Sequence, residues 1–200
     1  DDYLYHPDFA YRGPPFTYVP VPDQFAVFKA HDRLLANREA HDQPVFIQHV
    51  LVSSHAPFDL VPAFVAEWER LGDGTIYFDL DNSSFDNNWV SGNEYDEGYS
   101  AAIRYVLRTV VSYLTEYVRG DEIAVLVGDH QPKRPIRETD AGKSVPIHVI
   151  SRNPAVAKHF ERYGYTRGMT PSQKPPHDGM DTFFPVFRRL LEGLSGRAGP

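Results

Sequence analysis

The sequence IAVLVGDH at residues 123–130 decides the predicted fold, because an apolar run leads straight into a glycine and two polar residues. Such a run is typical of a strand buried on both faces, and we predict a strand over residues 122–127. Before it, residues 99–118 carry apolar side chains at three- and four-residue steps, which predicts a helix. Gly120 then stands where a C-terminal glycine stop is expected.

The same alternation of helix and strand extends in both directions from this point. We predict further strands at residues 45–52, 75–80 and 145–151, and helices at residues 22–37, 62–71, 154–163 and 180–194. Residues 1–21, rich in Tyr, Phe and Pro, are predicted to be an irregular lead-in lying on a larger body. Such alternation predicts a single α/β domain over residues 1–200, with a mostly parallel sheet covered by helices.

Composition excludes several classes of protein. A net charge of −7 and 42% hydrophobic residues indicate a globular domain and argue against a nucleic-acid binder. The absence of cysteine excludes disulfides, thiolate zinc sites and a cysteine nucleophile. The sequence opens on Asp1-Asp2-Tyr3 rather than Met, so we expect further residues upstream.

Two candidate sites follow predicted strands, at the end where open α/β sheets bind ligands. Asp129 and His130 follow one strand, and His55 follows another. A carboxylate and an imidazole can share one divalent ion, such as zinc, manganese or magnesium. Alternatively, Asp129 and His130 are a hydrogen-bonded loop pair, and His55 caps backbone groups near Pro57.

Other candidate residues give no convergent chemistry. There is no Gly-x-Ser-x-Gly elbow and no Walker loop, and Ser53 and Ser54 are adjacent in an extended segment, which points their side chains to opposite sides. Asp79 and Asp81 fit a solvated turn better than a cation site. His148 lies within a predicted strand, where a core or face histidine is favoured over a metal ligand. The remaining histidines have no convergent partner that the sequence identifies, and these are His6, His31, His41, His49, His159 and His177.

Together the motifs resemble a known family. VLVSSHAPF at residues 50–58, the helix with Tyr99, Ile103 and Tyr105, and IAVLVGDH at residues 123–130 resemble the second half of lipoteichoic acid synthase-type proteins. These proteins belong to the alkaline phosphatase and sulfatase superfamily. VPIHVI at residues 145–150 is similar to the strand that follows the metal motif there, and the resemblance covers about residues 5–193.

This resemblance implies a fold and a set of roles. The fold would be an alkaline phosphatase-like three-layer α/β/α sandwich, incomplete because the amino-terminal part is missing. Asp129 and His130 would bind a divalent ion (Mn, Zn or Mg), and His55 would contact the substrate headgroup. The family's nucleophile and acidic ligand lie over a hundred residues before the Ser-His motif, so no residue of this chain matches them.

The resemblance also implies a function. The chain would be part of a metal-dependent phosphoryl or phosphoglycerol transferase, or of a sulfatase-like hydrolase, acting on lipid-linked or glycan phosphate headgroups of the envelope. It would lie in the extracytoplasmic part of a bacterial-type protein anchored to the membrane by the missing amino-terminal region. Alone, it is expected to be inactive. The alternatives are a catalytically inactive sulfatase-like binding module and a fragment stabilised by self-association.

Overall fold

The computed structural model describes residues 3–16, 18, 20–35, 45–87, 94–118, 120, 122–132, 143–170 and 179–196. Helices and short sheets occur together, which confirms the mixed α/β class. The chain divides into two compact units, Asp1–Tyr113 and Leu114–Pro200. The single domain expected over residues 1–200 therefore stays a prediction.

The first unit contains helix α1 (Asp23–Leu35) and the start of helix α2 (Tyr95–Glu116). Strands β1 (Leu60–Val61) and β2 (Ser83–Ser84) pair antiparallel. Helix α1 begins close to the predicted position, with the acidic Asp23 in its first turn. Short 3-10 turns occupy His6–Phe9, Trp68–Leu71 and Thr75–Phe78.

An aromatic core holds this unit together. Phe25 and Tyr77 are completely buried. The rings of Tyr11 and Phe25 meet edge to face with centroids 4.9 Å apart, and those of Phe16 and Tyr77 do so at 5.7 Å. Edge-to-face pairs contribute about 0.5–1.5 kcal/mol beyond the burial of their area. The lead-in thus packs on the body of the unit, as predicted.

Three predicted elements of the first unit are wrong. Residues 45–52 form no strand and are paired into neither described sheet, and Phe46 is 85% exposed. Residues 75–80, predicted as a strand, instead contain the 3-10 turn Thr75–Phe78, which buries Tyr77 after the left-handed Gly74. The helix predicted at residues 62–71 is reduced to the turn Trp68–Leu71. Tyr77, Trp68 and Leu71 are buried without the regular backbone that their spacing suggested, whereas residues 45–52 leave Phe46 largely exposed.

The second unit is built on a strand pair with two helices. Strands β3 (Ile123–Val127) and β4 (Ile147–Ser151) pair antiparallel, with Val125 opposite Val149. Helix α3 (Pro154–Glu161) follows β4, and helix α4 (Phe183–Leu194) ends the described part of the unit. These elements agree with the predicted positions to within a few residues.

The core of the second unit consists of Val156, Phe160 and Leu190, with Ile123 and Val149 packed against them. The strand direction differs from the prediction. Both strand pairs among the described residues are antiparallel, whereas a mostly parallel sheet was predicted. An apolar run indicates burial but carries no information on the direction of its neighbour, so the class could be predicted and the direction could not.

Candidate functional site

Asp129 and His130 lie at the carboxyl end of β3, where the sequence placed them. The ladder closes with the Gly128 amide donating to the Pro146 carbonyl at 3.2 Å. A Cβ on Gly128 would lie 3.4 Å from the Val145 Cβ, an ordinary van der Waals contact, so a small side chain would also fit here. Both side chains beyond it face solvent, with 67% of the His130 side chain and 89% of the Asp129 side chain exposed.

Hydrogen bonds fix the geometry of this pair. The His130 amide donates to Asp129 Oδ1 at 2.8 Å, and His130 Nδ1 lies 2.8 Å from the Gln131 carbonyl oxygen. Because a carbonyl oxygen only accepts, Nδ1 carries the proton, so a neutral ring has a lone pair on Nε2 and a charged ring donates from Nε2. His130 Nε2 is 3.5 Å from Asp129 Oδ2.

This donor set fits two ligands of one divalent ion. Ligands about 2.0–2.2 Å from a tetrahedral ion lie roughly 3.4 Å from each other, close to the spacing of these two atoms. A backbone carbonyl that accepts from the other ring nitrogen is the usual second-shell partner of a metal-binding histidine. The described residues contain no group of three or more His, Cys, Asp or Glu side chains that could hold a metal ion. The hydrogen bond from the His130 amide to Asp129 Oδ1 is also what a hydrogen-bonded loop pair requires. The geometry is therefore compatible with a metal site and with a loop pair.

His55 lies in the first unit, at the end of a tight turn. Its amide donates to the Val52 carbonyl at 3.0 Å, and its Nδ1 lies 2.7 Å from the Ala56 carbonyl oxygen. The imidazole is exposed and stacks on the Tyr18 ring, with centroids 3.6 Å apart and planes 16° from parallel. As in His130, the proton is on Nδ1, so a neutral ring offers Nε2 as an acceptor and a charged ring offers it as a donor. The bond to Ala56 also realises the capping alternative.

One buried carboxylate, which the sequence did not identify as a site residue, supports the turn before His55. Asp23 is only 2% exposed and accepts hydrogen bonds from the Val52 amide at 2.9 Å and the Ser53 amide at 3.0 Å. Burial raises the pKa of Asp23, and the two backbone bonds oppose that rise. The sequence showed an acidic residue at the start of a helix. Its contacts with Val52 and Ser53 could not be predicted, because these residues lie 29 and 30 positions away along the chain.

Other histidines have structural partners rather than a shared site. His31 Nδ1 lies 3.1 Å from the Tyr113 hydroxyl, and His159 Nε2 lies 2.9 Å from the Val186 carbonyl oxygen. His148 sits within β4 opposite Leu126, as expected for a strand residue. Asp79 and Asp81 are both exposed, in keeping with a solvated turn. His41 and His177 lie outside the described residues.

No family model, no curated protein and no solved structure matches the chain. The resemblance to lipoteichoic acid synthase-type proteins accordingly rests on the motifs at residues 50–58 and 123–130. Within the described ranges, no helix has the length and apolar character needed to cross a membrane. The roles of Asp129, His130 and His55 stay predictions.

Proposed function

We propose that this chain contributes to the active site of a metal-dependent phosphoryl or phosphoglycerol transferase, or of a related sulfatase-like hydrolase. Asp129 and His130 provide two ligands to a divalent ion, and His55 contacts the headgroup of the substrate. The observation that carries this proposal is the 3.5 Å spacing of Asp129 Oδ2 and His130 Nε2 at the end of a strand.

The chemistry of the donors suits the proposed reaction. A divalent ion bound there would lower the pKa of an attacking hydroxyl and offset negative charge on the transferring group. The bond between His130 Nδ1 and the Gln131 carbonyl makes Nε2 the nitrogen with which a neutral ring would bind an ion. A protonated His55 can donate from Nε2 to a phosphate oxygen, a charge-assisted hydrogen bond that is stronger than a neutral one.

The surrounding fold and the cellular setting belong to the same proposal. An alkaline phosphatase-like three-layer sandwich with a mostly parallel sheet rests on the motifs alone, and other parts of the protein would have to supply its parallel strands, since both strand pairs among the described residues are antiparallel. The substrates are lipid-linked or glycan phosphates of a bacterial-type envelope, and the protein acts outside the cytoplasm, anchored to the membrane.

Metal binding is the direct test. We expect calorimetry with Mn²⁺ or Zn²⁺ to show one ion bound, and Asp129→Ala to weaken its binding by at least ~10-fold, because a ligand is lost. Asp181→Ala is the matched control, since Asp181 is an exposed carboxylate of the same unit. The control matters because the chain has nine histidines, and those outside the proposed site can hold divalent ions weakly. Equal affinities of the wild type and Asp129→Ala would refute the proposal.

A second candidate is a sulfatase-like binding module without catalytic activity. Its basis is that no third His, Cys, Asp or Glu side chain joins Asp129 and His130 in a metal-binding group among the described residues. Such a module would bind glycerol phosphate equally well with and without Mn²⁺, and His55→Ala would weaken that binding. If added Mn²⁺ strengthens binding in the wild type but not in Asp129→Ala, the transferase proposal is preferred.

A further inference from the structure

We infer that Asp23 is a positioning residue for His55, holding the Ser-Ser-His turn from the first turn of α1 so that the imidazole presents its Nε2 edge. This inference rests on the headgroup-binding role proposed above for His55. It adds a residue that does not itself contact the headgroup.

Three hydrogen bonds join Asp23 to the turn. Its two carboxylate oxygens accept from the Val52 amide at 2.9 Å and the Ser53 amide at 3.0 Å. In return, the Asp23 amide donates to Ser53 Oγ at 3.1 Å. The backbone of residues 52–53 is thereby held at both of its amides by one side chain, which fixes its orientation as well as its position.

This pattern differs from ordinary helix capping. An N-cap side chain usually accepts from amides of its own helix, two or three residues ahead. Here both Asp23 oxygens bond to a segment 29 and 30 residues away. The first amides of α1 are satisfied from outside the helix instead, by Ser53 Oγ for Asp23 and by the Tyr105 hydroxyl, 3.2 Å away, for Gln24. The Asp23 carboxylate therefore holds the turn rather than its own helix.

The turn transmits this constraint to the imidazole. Val52 takes part in two hydrogen bonds. Its amide donates to Asp23, and its carbonyl accepts a hydrogen bond from the His55 amide at 3.0 Å. The ring is then set by Nδ1, 2.7 Å from the Ala56 carbonyl, and by Tyr18, whose ring lies 3.6 Å away and nearly parallel. The backbone bond, the contact of Nδ1 and the stacking on Tyr18 together fix the orientation of the His55 ring. Nε2 is then the ring nitrogen that can contact a ligand.

The cost of burying a carboxylate supports a positioning role. An ionised group that is almost fully removed from water is expensive unless it is well hydrogen-bonded. Serine or asparagine would satisfy a helix start at lower cost. Neither can accept two backbone amides on two separate oxygens, which is what holding residues 52 and 53 requires.

The test measures the ring of His55 directly. We expect long-range ¹H–¹⁵N spectra of the wild type to show the proton of neutral His55 on Nδ1, and Asp23→Asn to shift the ring toward a mixture of both tautomers. Asp32→Asn is the matched control, because Asp32 is an exposed carboxylate of the same helix. Circular dichroism confirms that each variant is folded. A His55 tautomer unchanged in Asp23→Asn overturns the inference.

Binding of inorganic phosphate provides the second readout. Asp23→Asn should weaken phosphate binding by about tenfold, the factor that corresponds to losing one hydrogen bond to a charged group. If the wild type does not bind phosphate, the headgroup role of His55 fails, while the ligand-free tautomer still decides whether Asp23 sets the ring. If Asp23→Asn does not fold, Ser53→Ala, which loses one of the three bonds, replaces it. Its expected result is a smaller tautomer shift, and an unchanged ring overturns the inference.

Discussion

Replacing Gly98 by alanine tests how tightly the loop after His55 packs against α2. A Cβ at Gly98 would lie 2.5 Å from the Phe58 carbonyl oxygen and 2.5 Å from Asn87 Nδ2. Neither group can move freely. Phe58 has a φ of 62° and its ring packs edge to face on those of Tyr95 and Tyr99, with centroids 5.3 and 5.4 Å away. The Asn87 amide donates to the Pro57 carbonyl at 2.9 Å.

The expected magnitude follows from two opposing effects. Alanine in place of glycine in a helix interior gains about 1 kcal/mol. Forcing a methyl group into an occupied space costs about 1–3 kcal/mol, and displacing the Asn87 amide from the Pro57 carbonyl costs about 1 kcal/mol more. The steric terms outweigh the helix term, so Gly98→Ala should lower the free energy of unfolding by roughly 1–3 kcal/mol.

The same substitution in another helix provides the control. Gly193 lies in α4, where a Cβ would meet nothing within 4 Å. Gly193→Ala should therefore raise the free energy of unfolding by about 0.5–1 kcal/mol. Trp68 is buried in the first unit, so its fluorescence in urea titrations reports on the Gly98 variant, and circular dichroism reports on both variants. A gain in stability for Gly98→Ala would refute the close packing of Phe58 on α2.

Two further predictions concern a titrating pair and a helix cap. Removal from water lowers the pKa of His31, opposed in part by the charge of Asp32, and also lowers that of His49, where the charge of His31 adds to the effect although the His49 residue remains exposed at the surface. The folded state thus disfavours both imidazolium forms, so the stability they contribute is present above their ordinary pKa of about 6.5 and is lost as pH falls below it. The urea midpoint of the wild type should fall from neutral to acidic pH, and it should fall less steeply in the double variant His31→Gln/His49→Gln. An equal pH dependence of the midpoint in the two proteins would contradict this prediction. In the second unit, the Asn153 side chain caps helix α3 by accepting a hydrogen bond from the Ala155 amide at 2.9 Å. Asn153→Ala should therefore lower the free energy of unfolding by about 1 kcal/mol. An unchanged urea midpoint would contradict this prediction.

Elements specified by local sequence could be predicted closely. The helix predicted at residues 99–118 is α2 (Tyr95–Glu116), because a long amphipathic period is a property of the segment itself. Gly120, predicted as the stop, has a φ of 87°, a conformation that glycine adopts without cost. Strand β3 and helix α3 were likewise placed within a few residues, the second by Pro154 at its start.

Elements that depend on distant partners could not be predicted. Residues 45–52 have the composition of a buried strand, yet Phe46 and Val50 are 85% and 74% exposed. A strand exists only where a neighbour satisfies its backbone, and composition does not reveal that neighbour. The direction of the β3–β4 pair was missed for the same reason. The sequence could show that Asp129 and His130 follow a strand, but the 3.5 Å between their side-chain atoms depends on loop conformation.

The wrongly predicted strand changes what holds His55 in place. A loop that follows a strand in a sheet is positioned by the backbone hydrogen bonds between that strand and its neighbour. Its position therefore does not depend on a single side chain. Residues 45–52 have no such ladder among the described residues, so the turn that follows depends on the bonds from Asp23 to Val52 and Ser53. A turn held by one buried side chain should be released by one substitution. Asp23→Asn is therefore expected to disturb His55 well beyond the effect of Asp32→Asn, although the two changes are chemically identical and lie on the same helix.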